Sequence, residues 1–391
     1  MKIASIVGAR PQFIKLAPLI RAVQEHNKNN PKLRIEHLLI HTGQHYDYEM
    51  DKIFFKELGI PEPACNLEVG SGSQGWQTGE MIKKAEEILE QEKPHWVLVY
   101  GDTNSTLAGA LAAAKLHISV AHIEAGLRSY DRRMPEETNR VLIDHCSDIL
   151  YCPTESAVKN LKKEGFTNII NNGELITENF MTKNLSNLSF LESPEVINVG
   201  DIMYDALLIS LEIAEKESII LDTLKLKPKE YYLVTIHRAE NTDDKNNLKN
   251  IMQALFEISK GKQVIFPVHP RTNKTLEILH ISQRDFNKFK MIDPISYFDM
   301  LMLLKNAKKI LTDSGGMQKE AYIFQVPCIT IRNNTEWVET VESGWNTVVG
   351  ANKKRIIEST LSNLDIPNLS YRKFFGDGKA GGKIISLLIK K

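Results

Sequence analysis

An α/β fold of two doubly wound parallel sheets is what this sequence predicts, on three observations. Short apolar, β-branched runs alternate with segments of helical period in both halves of the chain. The alternation stops across residues 166–200, rich in Asn, Ser and Leu, and then restarts. Most runs end in polar residues fit for chemistry, and the carboxyl ends of strands are where such sheets bind ligands. The chain therefore divides into 1–195, 196–373 and a last helix in 374–391.

Composition sets the outer limits. A chain of 391 residues, 42% hydrophobic and 25% charged, suits a globular protein of two domains. Lys plus Arg and Asp plus Glu both number 49, so no basic excess points to nucleic acid or a membrane surface. Any anion site has to be built locally. The four cysteines form no CxxC pair and no metal set, which fits buried thiols in a reducing cytoplasm. The opening MKIASIVGARP is too short in its apolar run for a secretion signal and reads as a first strand. No apolar run reaches the ~18 residues that a membrane span needs, so no membrane insertion is expected.

Residues 2–7 are a buried parallel strand, broken by Gly8-Ala9-Arg10-Pro11 before a helix from Gln12 to His26. Arg10 and Lys15 stand at that helix start, where free N–H groups and the positive dipole end favour a phosphate. A strand from Ile35 to Ile40 ends in His41-Thr42-Gly43-Gln44-His45, with a helix at 47–58. Gly70, Gly72 and Gly75 spell GxGxxG before a helix from Glu80 to Gln91. That fingerprint belongs on the first strand, which ends in GARP instead, so a plain glycine loop is expected.

Residues 97–140 concentrate the candidate chemistry of the chain. Val97–Tyr100 stops at Gly101-Asp102-Thr103, an Ala/Leu-rich helix follows, and a second strand runs from Ile118 to His122. Asp102 ends one strand; His122 and Glu124 end the next. Glu136, Glu137, Asn139 and Arg140 follow within one loop and helix start. Acids interleaved with Arg128 and Arg140 suit proton transfer beside an anionic ligand, although Asp102 alone would serve as a helix cap. A strand at Ile149–Cys152 and a helix opened by Pro153-Thr154-Glu155-Ser156 complete this half.

In the second half, strands Tyr231–Ile236, Val264–Val268, Lys309–Thr312 and Cys328–Ile331 end in His237-Arg238, His269-Pro270-Arg271, Asp313-Ser314-Gly315-Gly316 and Arg332. The Asp-Ser-Gly-Gly turn is the best phosphate cradle in the chain. Ser314, Gly315 and Gly316 allow close backbone approach, and a helix at 317–324 supplies N–H donors. Glu320, six residues after Ser314, is placed to accept both hydroxyls of a ribose. A turn at Phe375–Gly378 precedes a final helix, Ala380–Ile389.

Ten segments in one order resemble the non-hydrolysing UDP-N-acetylglucosamine 2-epimerase family: GARPQFIKLAP, TGQH, YGDTNST, HIEAGLRS, PEETNR, PTE, IHRAEN, PVHP, TDSGGMQKEA and FGDGKAG. The resemblance runs nearly end to end. It implies a GT-B type fold, two Rossmann-like domains facing a central cleft, with the C-terminal helix packing back on the N-terminal domain, and a homodimer. It implies inversion of C2 in a UDP-N-acetyl-hexosamine, UDP-GlcNAc to UDP-ManNAc, by loss and re-addition of UDP, for polysaccharide precursors. By position, Asp102, Glu124, Glu136, His237 and Lys15 are then catalytic. Arg10, Arg140, His269, Ser314, Gly315, Gly316, Glu320 and Arg332 hold the UDP-sugar, and no cofactor or metal is called for. Met300 stands where relatives place an aromatic near the uracil. VGSGSQG, the segment after Arg332, and Arg271 are closer to the branch acting on UDP-2,3-diacetamido-2,3-dideoxyglucuronate, whose carboxylate would want Arg271 or Arg133. A GT-B glycosyltransferase is the further alternative, sharing the fold and the UDP site.

Overall fold

Strands buried on both faces read as unbroken apolar runs, and the computed structural model shows two sheets of them. It describes residues 1–44, 59–184, 193–281, 285–286, 288–362 and 371–390, without the side chains of Arg10, Lys183, Asn184, Asp285 and Phe286. The helix expected at 47–58, and His45 before it, lie outside the described residues.

The first sheet contains β1 (Lys2–Val7), β2 (Glu36–His41), β3 (Cys65–Asn66), β4 (Trp96–Tyr100), β5 (Ser119–Ile123), β6 (Ile149–Cys152) and β7 (Glu195–Asn198). Its order is β3-β2-β1-β4-β5-β6-β7, parallel throughout. The second contains β8 (Tyr231–Thr235), β9 (Gln263–Pro267), β10 (Asp285–Phe286), β11 (Phe289–Ile292), β12 (Lys309–Thr312), β13 (Cys328–Thr330) and β14 (Asn346–Val348). Its order is β10-β11-β9-β8-β12-β13-β14, parallel except for the β10–β11 pair.

Each sheet reverses its winding once, between β1 and β4 and between β8 and β12. Crevices at such reversals are where doubly wound sheets bind ligands. The chain turns there are Gly8-Ala9 and Gly101-Asp102 in the first sheet, and His237 and Asp313 in the second. The cores behind them are apolar: Ile6, Val97, Val99 and Ala110 at one sheet, Val234, Leu255, Phe266 and Leu311 at the other.

Residues Met1–Ile209 with Lys373–Lys391 form one compact unit, and Ser210–Arg372 the other. The first unit thus runs past residue 195, because β7 is hydrogen-bonded to β6. Its polar ends, Glu195 and Asn198, are buried and hide a strand inside the Asn/Ser/Leu-rich stretch. The final helix, Ala380–Ile389, packs on the helix Arg10–Asn29.

Asp205 closes the start of that final helix, accepting from the Gly381 N–H at 2.9 Å, while its Oδ1 has no hydrogen-bond partner among the described residues. Burial pushes its carboxyl up from 3.8 to about 6. The folded chain therefore holds this proton more tightly than the unfolded one. Stability falls as pH rises from ~4 to ~6, by on the order of 2–3 kcal/mol, and stays lower above that window. Asp205→Asn, whose amide oxygen keeps the Gly381 bond, is expected to remove this slope and raise the melting temperature at about pH 8. Urea titrations of both proteins at about pH 4.5 and about pH 8 check it.

Candidate active site

In the first unit, the helix Arg10–Asn29 begins directly after β1, two residues earlier than its apolar period suggests, with Pro11 fitting the first turn. The side chain of Arg10 lies outside the described residues. Lys15, one turn further in, donates to Glu124 Oε1 at 2.6 Å, and both side chains are nearly buried, at 9% and 11% exposed. Glu124 ends β5 with φ +74°. A non-glycine residue in that region carries strain, which proteins concentrate at functional sites. Gly101, at the end of β4, also has a positive φ, +67°, and a Cβ there would lie 2.8 Å from Lys15 Nζ. The turn is glycine so that the ammonium can lie against the backbone.

Asp102 follows. Its Oδ2 accepts from Arg140 Nε at 2.9 Å and Nη2 at 2.6 Å. Arg140 is aimed by Glu137, whose Oε2 accepts from Nη1 at 2.8 Å. Burial pushes the Glu137 carboxyl up, but the N–H groups of Ser129 and Tyr130, the Ser129 hydroxyl and Arg140 outweigh it and hold the group below its usual range. Asn139 adds a bond from Nδ2 to the Asp102 carbonyl at 2.9 Å. The structure thus brings together Lys15 with Glu124, and Asp102 with Arg140. Glu136 is exposed on the same helix, Pro135–Cys146. Glu137 is the buried one of the two, at 5%. Helical spacing places Glu137 three before Arg140 and seven before Asp144 on one face, with Glu136, four before Arg140, at the exposed edge of that face.

In the second unit the organising group is Asp313, at the end of β12 and wholly buried. It accepts from the backbone N–H of His237 (3.1 Å) and Arg238 (3.0 Å) and from Asn241 Nδ2 (3.0 Å). His237 Nδ1 lies 3.4 Å from Asp313 Oδ1, and its ring centre 5.8 Å from that of His269. Burial lowers the His237 pKa, opposed by the Asp313 charge. His269 is exposed and caps the helix Pro270–Ile278, its Nδ1 accepting from Arg271 N at 3.2 Å. Burial, then the Arg271 charge, lowers its pKa.

Ser314 caps the helix Gly315–Ile323, its Oγ accepting from Met317 N. Of the two glycines expected to cradle a phosphate, Gly316 is open, with nothing nearer than 3.9 Å to the place of a Cβ. Gly315 is not: Glu336 Oε1 lies 2.4 Å from that place. The same Glu336 pairs with Arg332 at 2.9 Å, so the expected phosphate cation already faces a carboxylate. Glu320 is buried and takes a bond from Tyr297 Oη at 3.1 Å; burial pushes its carboxyl up. Met300 is partly buried against the core, and Phe298 lies within it. Among the described residues no three His, Cys, Asp or Glu side chains converge on a metal position, and no helix is long and apolar enough to cross a membrane.

Strained and buried acids at one sheet reversal, with an anion-suited helix start at the other, are the equipment of a nucleotide-sugar enzyme. Comparison with known proteins agrees. The profile of the UDP-N-acetylglucosamine 2-epimerase family matches residues 26–389, and the chain belongs to that family. It is 54% identical over 391 residues to a UDP-N-acetylglucosamine 2-epimerase homolog of Methanococcus maripaludis, covering 99% of each. It is 43% identical to the UDP-2,3-diacetamido-2,3-dideoxy-D-glucuronate 2-epimerase of Pseudomonas aeruginosa, covering all of both chains. Its fold matches the Methanocaldococcus jannaschii UDP-GlcNAc 2-epimerase solved with UDP-GlcNAc and UDP, with a TM-score of 0.82, 46% identity and full coverage of both. The chain is an isomerase of this family, built from two Rossmann-like units of the GT-B type.

Proposed function

We propose that this epimerase interconverts UDP-N-acetylglucosamine and UDP-N-acetylmannosamine without hydrolysis. A carboxylate takes the C2 proton while the C1–O bond to UDP breaks, giving a 2-acetamido glycal and UDP. UDP then adds back at C1 as a proton is delivered to the other face of C2. Atoms and charge balance, and no redox cofactor or metal enters. Asp102, Glu124 and Glu136 carry the proton traffic. Lys15 and His237 serve the departing UDP. Arg10, Arg140, His269, Ser314, Gly315, Gly316, Glu320 and Arg332 bind the UDP-sugar.

The observation that carries this reading is the Lys15–Glu124 pair at 2.6 Å, held on a strained strand end against a glycine turn. A carboxylate fixed beside an ammonium suits a reaction that moves a proton as a phosphate ester leaves, where positioned charge supplies much of the rate. A glycosyltransferase needs no such grouping of acids and does need an acceptor site. A homodimer, a cytoplasmic location, no nucleic-acid partner and supply of polysaccharide precursors belong to the same proposal.

The diacetamido-uronate is the second reading, supported by the Pseudomonas aeruginosa relative. Two pairings favour the neutral hexosamine. Arg271 is bound to Asp243 and Arg133 to Asp131, at 2.6 and 2.7 Å, so each cation proposed for a uronate carboxylate already faces an aspartate. Both UDP-sugars offered to the purified protein decide this. UDP-N-acetylglucosamine is expected to show the higher kcat/KM, by about tenfold or more. The reverse order would move the assignment to the uronate.

A further inference from the structure

His122 lies in β5, wholly buried, two residues before Glu124. Its Nδ1 is 2.6 Å from Asp144 Oδ1, and its Nε2 is 2.8 Å from the carbonyl oxygen of Gly101. A carbonyl only accepts, so Nε2 carries a proton. Asp144 is also wholly buried. Its Oδ2 accepts from the Gly126 N–H at 3.1 Å and pairs with Arg128 Nη1 at 2.8 Å. Burial alone would raise the Asp144 carboxyl; the facing cations and hydrogen bonds reverse this and keep it below its usual range.

We propose that His122 is a positioning residue, a buried imidazole strut that ties the Gly101–Asp102 turn to Asp144 and so sets where Asp102 and Glu124 sit. The inference rests on the reading above that these two carboxylates are catalytic. The charges that face the strut come from three other elements. Asp144 is on the helix Pro135–Cys146, Arg128 is in the loop after β5, and Glu164, behind Arg128, binds it through two bonds of 2.7 Å. The Lys15–Glu124 pair stands against Gly101. Arg128 and Asp144 are buried and pair with each other, while Glu164 reaches Arg128 from the surface. Gly101 N–H also donates to Ile123 O at 2.9 Å. The turn that aims Asp102 is therefore fixed to β5 by its N–H directly and by its carbonyl through His122. Glu124 is the next residue along that strand.

The test is a spectrum and a rate. In protein labelled with [15N]histidine, the Nε2 signal missing from the His122→Asn variant is expected to be that of a protonated nitrogen, the donor to the Gly101 carbonyl. An unprotonated Nε2 would overturn the strut. His122→Asn is also expected to lower kcat about 100-fold, the scale of a roughly 1 Å misplacement, with KM changed less than about threefold. An unchanged kcat would overturn the positioning role. Should that variant not fold, Asp144→Asn is the second: Nε2–H is expected to stay on Gly101, and kcat to fall about tenfold. An unchanged kcat there would overturn the proposal. Wild-type protein inactive on either UDP-sugar would refute the functional reading, while the labelled spectrum would still decide whether His122 Nε2 donates to Gly101.

Discussion

Glu124→Gln is expected to lower kcat on the order of 1,000-fold with KM changed less than about threefold. Glutamine keeps the size of the side chain and its acceptor oxygen toward Lys15, so the site stays filled. What it loses is the capacity to take or return a proton. The strain at φ +74° remains, so folding stability is expected to change little. Exchange of the C2 proton with solvent is expected to fall in step with kcat, because both need the same proton transfer. Exchange that persists at the wild-type rate in Glu124→Gln would remove Glu124 from the proton path and leave Asp102 or Glu136 to carry it.

Asp313→Ala is expected to act on the other unit and on stability. The carboxylate gathers two backbone N–H groups and the Asn241 amide at 3.0–3.1 Å, with none of its surface exposed. Removing it leaves those donors buried without an acceptor, which costs about 3 kcal/mol or more. It also releases His237 and Arg238 from the end of β8. UDP affinity is expected to drop about 10- to 100-fold, and the melting temperature by several degrees. Calorimetric titration with UDP and thermal unfolding of the same samples check both. UDP affinity equal to wild type would show that the His237–Arg238 turn does not hold the nucleotide.

The parts of this fold legible in the sequence are those governed by local rules. Val97–Tyr100 and Tyr231–Thr235 read as strands because a parallel strand covered on both faces needs only apolar side chains. The polar residues just beyond them mark the strand ends where ligands bind. What stayed hidden depends on three-dimensional facing. Lys15 and Glu124 are 109 residues apart, and only the β1–β4–β5 order makes them neighbours. Glu136 and Glu137 are the same residue type side by side, and only the helix phase decides which one is buried. His122 read as a member of the acid cluster at a strand end; its ring instead points into the core toward Asp144. Gly315 read as open backbone, and the carboxylate of Glu336, 21 residues on, fills the space beside it. β7 was obscured because Glu195 and Asn198 are polar yet buried.

The central claim is that a proton leaves C2 and returns from solvent-exchanging groups while UDP departs and re-adds. Proton NMR of the purified protein with UDP-N-acetylglucosamine in D2O tests it most directly. UDP-N-acetylmannosamine signals appearing together with deuterium at C2 of both sugars are the predicted result. Epimerised product that keeps its C2 proton, or free N-acetylmannosamine released with UDP, would contradict the mechanism.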